Sequence, residues 1–156
     1  MSIAYHPAAK GTVVYVEDQQ VHVLLMQAVF IRRPDLRLLV ATTGQEALAL
    51  AEGLRPDLLL LDIRLPDCLG TELLPRLRRL RRLPGCREAP AVAVTAEHHF
   101  RTEGTGFVEV WSKPLRLQQA LSRLAALLPA EHMSVEADKL VARVEWQRAA
   151  AVQAWR

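Results

Sequence analysis

Thr12-Val13-Val14-Tyr15-Val16-Glu17-Asp18 and Asp57-Leu58-Leu59-Leu60-Leu61-Asp62 are the two stretches that decide the fold. Each carries apolar side chains on both faces of an extended chain, and each stops abruptly at a carboxylate. Short continuous apolar runs of this kind suit parallel strands covered on both sides. Working outward, Leu36 to Ala41 reads as a second strand. Ala91-Val92-Ala93-Val94 reads as a fourth, finishing at Thr95, and Phe107 to Trp111 as a fifth, finishing near Lys113-Pro114.

Helical periodicity fills the intervals. From Gln19 to Arg33, Val21, Leu24, Leu25, Ala28 and Val29 recur at helical spacing and form the expected core-facing stripe, until Pro34 stops the pattern. Thr43-Gly44-Gln45-Glu46 has the form of a capping box, opening a helix from Gly44 to Glu52 with Gly53 as its C-terminal glycine. Leu73, Leu74, Leu77 and Leu80 share one face of a third helix that Pro84-Gly85 ends, and Leu115 to Leu128 is an amphipathic closing helix. The alternation predicts a parallel sheet with right-handed crossovers and helices on both faces.

The chain has 156 residues, the length of one domain with a short appendage. Half of them (51%) are hydrophobic and 24% charged, which excludes a disordered chain, while a net charge of +3 is too mild to imply nucleic-acid binding. Cys68 and Cys86 form no CxxC pair and read as free thiols of a reducing cytosol. Met1 to Lys10 lacks the apolar core of a signal peptide, and no segment approaches the ~20 apolar residues of a membrane span. A cytoplasmic protein without a membrane partner is the expectation.

In doubly wound folds the functional site lies beyond the C-terminal ends of the strands. Those ends supply Glu17, Asp18, Asp62, Thr95 and Lys113. Three converging carboxylates repel one another unless a hard cation sits among them, and oxygen ligands suit Mg²⁺. Lys113 could neutralise the remaining charge or hold an incoming anion, to which the Thr95 hydroxyl could donate.

Glu17-Asp18, Asp62-Ile63-Arg64-Leu65-Pro66 with Gly70, Thr95-Ala96 and Lys113-Pro114, in this order and at strand ends, resemble the receiver domain of two-component response regulators over roughly residues 11–129. The resemblance implies a flavodoxin-like doubly wound (βα)5 sheet of strand order 2-1-3-4-5; outside it, the sequence reads as an N-terminal tail (1–10) and a linker and C-terminal helix (130–156). It implies Asp62 as phosphoacceptor, with a histidine kinase or phosphotransfer protein as donor. Mg²⁺ would be held by Asp18, Asp62 and the backbone carbonyl of Arg64, with Glu17 acting mainly through water. Lys113 would contact the phosphoryl oxygens and Thr95 would follow them. Such a domain accepts a phosphoryl group, with autodephosphorylation at most, and is not a turnover enzyme. An aspartyl phosphatase would carry a second Asp where Arg64 stands, and no GxSxG, P-loop or Rossmann pattern is present.

Two features depart from the family pattern. Val110 occupies the usual switch-aromatic position, and the neighbouring Trp111 should point to the opposite face as a core residue. The stretch from Glu97 to Thr105 is about one turn short, so a fourth helix would be brief or distorted. His98 and His99, being consecutive, read as solvated loop residues rather than ligands. The arginines of the third helix, Arg76, Arg78, Arg79, Arg81 and Arg82, read as a solvated face whose stems cover leucines. Asp18 alone is also compatible with a helix cap, and Thr95 with a hydroxyl bonding its own backbone.

Beyond Pro129, Ser134 could cap a further helix whose Ala137, Val141, Val144, Ala151, Val152 and Trp155 lie near one stripe, interrupted by Arg148, with Trp146 off it. That tail is too short for a helix-turn-helix, so no direct DNA binding is expected. It is a candidate for homodimerisation or partner docking, which would make the output a change in protein association. The rival readings are a receiver-like interaction module that is never phosphorylated and a receiver piece of a hybrid histidine kinase.

Overall fold

The computed structural model describes residues 9–80 and 88–129. Along them run β1 (Gly11–Val16), α1 (Gln20–Ile31), β2 (Leu36–Ala41), α2 (Gly44–Gly53), β3 (Leu58–Asp62), α3 (Gly70–Arg79), β4 (Ala91–Thr95), β5 (Glu109–Ser112) and α4 (Leu117–Leu127). All five strands are parallel, in the order β2-β1-β3-β4-β5. This is the expected doubly wound topology.

Strand alternation divides the interior into two cores. Val14, Val16, Leu59, Leu61, Ala91 and Ala93 point toward α2 and α3, where they meet Ala47, Ala51, Leu73, Leu74 and Leu77. Val13, Tyr15, Leu58, Leu60, Val92, Val94 and Trp111 point the other way, toward Met26, Val29 and Phe30 of α1 and Ala120 and Leu124 of α4. β3, hydrogen-bonded on both edges, is buried at every position. Trp111 is core, as alternation requires, while Val110 packs on the opposite side with Phe100 and Phe107.

Four details differ from expectation. First, α1 buries Val23, Met26, Val29 and Phe30, so of the expected stripe only Val29 faces inward. Both candidate stripes are apolar, and periodicity alone has no means of choosing between them. Second, α2 includes Gly53, which has no positive φ, and Leu54 caps the helix in an extended conformation. Third, no helix stands between β4 and β5 among the described residues: short turns, with Phe100 N–H on Glu97 O (3.2 Å) and Thr105 N–H on Thr102 O (3.1 Å), make the crossover. Fourth, Leu80 lies past the end of α3 and is exposed. The expected C-terminal helix and residues 1–8 of the N-terminal tail fall outside the described residues, as do Arg81, Arg82, Cys86 and the Pro84-Gly85 stop.

Candidate functional site

β1 and β3 are adjacent in the sheet, so their C-terminal ends bring Glu17-Asp18 and Asp62 together. Carboxylate oxygens of Glu17, Asp18 and Asp62 lie within 4.8 Å of one another, the one such cluster among the described residues. Its members differ in setting. Glu17 is fully buried (0%) and Asp62 nearly so (5%), whereas Asp18 is exposed at the rim. An oxygen-only donor set with one solvent-facing member fits a hard divalent cation that keeps part of its water shell. His98 and His99 are exposed and belong to no such cluster.

Lys113, just past β5, reaches across two strand ends. Its Nζ lies 2.6 Å from Asp62 Oδ2 and 2.5 Å from Glu17 Oε2. The Lys113–Pro114 peptide is cis, and the Lys113 N–H donates to Thr95 O at 2.9 Å, tying the lysine's backbone to the end of β4. Without that ammonium the buried carboxylates would be uncompensated.

Glu17 engages both oxygens with protein donors. Oε2 accepts from the Tyr15 hydroxyl at 2.9 Å as well as facing Lys113, and Oε1 accepts from Gln19 N–H at 3.1 Å with His22 Nδ1 at 3.4 Å. Glu17, not Asp18, therefore supports the entrance of α1, and the helix has no side-chain cap of its own. Asp18 is left free for another ligand. Tyr15 and His22 are additions to the expected set. The signal for Tyr15 was available, because residues i and i+2 of a strand share a face; no spacing rule pointed to His22.

Asp62 is held from its own loop as well, its Oδ1 accepting from Arg64 N–H at 3.1 Å. Arg64 is exposed and donates from Nε to Glu97 Oε1 at 2.6 Å, so the loops after β3 and β4 are joined over the pocket. The buried Thr95 hydroxyl accepts from Glu97 N–H at 3.1 Å, the local backbone bond that its position at a strand end allows. Gly70 donates to Ile63 O at 2.9 Å, and a Cβ there would collide with the Asp62 carbonyl oxygen. The glycine is needed because α3 starts against the backbone of the strand that carries Asp62.

Comparison with known proteins agrees with this geometry. The model of the "Response regulator receiver domain" family matches residues 13–125. The transcriptional regulatory protein TrcR of Mycobacterium tuberculosis is 34% identical over 105 residues, 64% of this chain and 39% of that protein. The cyclic di-GMP phosphodiesterase response regulator RpfG of Xanthomonas campestris is 32% identical over 127 residues, covering 78% of this chain and 33% of its own length. The chain thus spans a third to two fifths of these relatives. Among solved structures, a CheY-like receiver domain protein from Methanospirillum hungatei superposes with a TM-score of 0.65 at 25% identity, over 81% of this chain and 98% of the other. TrrA of Thermotoga maritima, solved with Mg²⁺ and BeF, superposes with a TM-score of 0.62 at 22% identity, over 76% and 99%. With the family matched across both stretches that decide the fold and across every strand end of the pocket, the chain belongs to the response regulator receiver domain family.

Proposed function

We propose that this receiver accepts a phosphoryl group on Asp62 from a phosphohistidine of a histidine kinase or phosphotransfer protein, and signals by altering its association with other proteins. A carboxylate oxygen of Asp62 attacks phosphorus, the P–N bond breaks with its electron pair leaving on the imidazole, and an acyl phosphate forms. Such a transfer depends on positioning and charge neutralisation more than on covalent assistance. Lys113 supplies a cation 2.6 Å from the acceptor carboxylate, which is the observation that carries the proposal. Glu17 holds that ammonium on its other side, and Thr95 O anchors the lysine's backbone N–H.

Asp18, Asp62 and the Arg64 carbonyl would hold Mg²⁺, with Glu17 contributing through water. The ion supplies charge neutralisation at the phosphoryl oxygens. Thr95 would exchange its bond from Glu97 N–H for one donated to a phosphoryl oxygen. The domain is taken as residues 11–129, working in the cytoplasm as a signalling switch rather than a turnover enzyme. No described helix is long and apolar enough to cross a membrane.

Acetyl phosphate or phosphoramidate with Mg²⁺ should add one phosphoryl group by intact mass, and Asp62→Asn should take none. No adduct with any donor would instead favour an unphosphorylated interaction module, the reading suggested by Val110 and by the lack of a described helix between β4 and β5. The sensor histidine kinase AruS of Pseudomonas aeruginosa, 33% identical over 150 residues that make up 15% of its length, keeps a third reading in play, a receiver within a hybrid kinase. For the metal, Asp18→Ala should remove the calorimetric heat of Mg²⁺ binding. Equal heats in both proteins would exclude the site.

A further inference from the structure

The outer face of α1 carries an apolar stripe in water. Val21 (59% exposed), Leu24 (55%), Leu25, Ala28 and Ile31 (80%) follow the i, i+3, i+4, i+7, i+10 spacing of one helical face. α1, QVHVLLMQAVFI, contains no Asp, Glu, Lys or Arg, so no charge interrupts that stripe. A continuous apolar patch of this kind marks a contact surface.

The described chain ends beside it. α4 runs to Leu127, and the Leu128 carbonyl accepts from Arg33 Nη2 at 3.1 Å, two residues beyond Ile31. The described chain therefore ends at the Ile31 end of the stripe, and the sequence beyond it sets Ala137, Val141, Val144, Ala151, Val152 and Trp155 near one stripe of helical spacing, interrupted by Arg148.

We propose that residues 134–155 cover the α1 stripe of their own chain, their apolar face against Val21, Leu24, Leu25, Ala28 and Ile31. Residues 130–133 reach about 13 Å when extended, enough to reverse direction next to Ile31. A helix of 22 residues is about 33 Å long and α1 about 18 Å, so the segment spans the stripe and its far end arrives at the Asp18 rim of the acidic pocket. A tethered segment meets this surface at an effective concentration of about millimolar, which favours it over a second copy of the chain. The cover needs no phosphoryl group, and it sets a competitor in the path of any protein that approaches Asp62 over α1.

The test uses the full chain. Val141→Asp with Val144→Asp should speed amide exchange across Val21–Ile31 about tenfold. Leu24→Asp, on an exposed position that touches neither core, should speed exchange across 134–155 to a similar degree. Both effects should be equal at protein concentrations about a hundredfold apart. Exchange in each segment that ignores changes in the other overturns the proposal. So does protection that grows with concentration alongside a doubled mass by light scattering, which would make a second copy the occupant. Near-UV circular dichroism unchanged from wild type shows that each variant keeps its packed domain.

Discussion

Tyr15 donates its hydroxyl to Glu17 inside the sheet, and four effects oppose its ionisation. Burial is the largest, followed by the Glu17 charge, the hydrogen bond itself and the Asp62 charge, and together they push the phenol far above the ordinary tyrosine range. The stability linked to this group is full below the unfolded value of about 10 and is lost as pH rises above it, because the unfolded chain then releases a proton that the folded chain retains. In an alkaline titration followed by ultraviolet absorbance, the Tyr15 phenolate should appear only together with unfolding. A Tyr15→Phe protein should lose that coupling. At Gly70 the constraint is steric: with its new Cβ driven into the Asp62 carbonyl, Gly70→Ala has to displace backbone. A loss of about 1–3 kcal/mol in urea unfolding is expected, as for other overpacked sites, together with slower phosphoryl uptake. An unchanged midpoint would show that α3 can slide away freely.

At the level of elements, the start of α2 is held by a loop from elsewhere in the chain. Asp67 Oδ1 accepts from Gly44 N–H at 2.8 Å and Oδ2 from Gln45 N–H at 2.9 Å, while Thr43 Oγ1 takes Glu46 N–H at 3.1 Å. The first three amides of the helix are thus satisfied. The Glu46 carboxylate reaches past Thr43 to Thr42, accepting from its N–H and hydroxyl. The Gly44 and Gln45 bonds hold the Asp67 carboxyl below its ordinary range. For a depressed carboxyl the stabilisation is present above the unfolded value, near 3.9, and disappears as pH falls through the folded one. Asp67→Ala should lower stability by about 0.5–2 kcal/mol at neutral pH, the usual loss of a helix cap. The difference between the two proteins should vanish in strong acid, and a constant gap across pH in thermal melts would refute the latch.

The strands and the site were legible for the same physical reason. A doubly buried strand has to be apolar until it ends, and polar chemistry can stand only at its end or just past it, so Asp62 and Glu17-Asp18 announced themselves. α1 was illegible in its rotation because Val21/Leu24/Leu25/Ala28 and Val23/Met26/Val29/Phe30 are equally apolar; packing chose the second, leaving the first to water. The Asp67 latch was hidden because it joins residues 22 and 23 positions apart through a loop.

Across the whole molecule, one crossover is made without a helix. Between β4 and β5 the chain is held by a few turn hydrogen bonds, by an edge-to-face pair of Phe100 and Phe107 (centroids 5.9 Å apart, rings at 77°), and by Arg78, whose Nη2 donates to Gly106 O at 2.9 Å. Arg78 also faces Glu88 at 3.3 Å, so this arginine of α3 is a structural tie, while Arg76 and Arg79 are exposed as expected. Gly106 has a φ of 85°, and a Cβ there would lie 2.5 Å from Arg78 Nη1. With so little helical hydrogen bonding, amides from Glu97 to Gly106 should exchange faster than those of β1, β3 and β4 and should slow after phosphorylation. Slow exchange that phosphorylation leaves unchanged would contradict this.

The pocket also has an order in time. During synthesis the acids leave the ribosome well before their cation: Asp62 precedes Lys113 by 51 residues, and Glu17 precedes both. Until Lys113 arrives, closing β1 against β3 would bury Glu17 and Asp62 with no compensating charge, a penalty of several kcal/mol. A nascent chain can pair β1 with β2 early, yet it gains little by sealing the strand ends. The acidic strand ends, finished early in synthesis, thus have their compensating charge only once Lys113 and the end of β5 have followed.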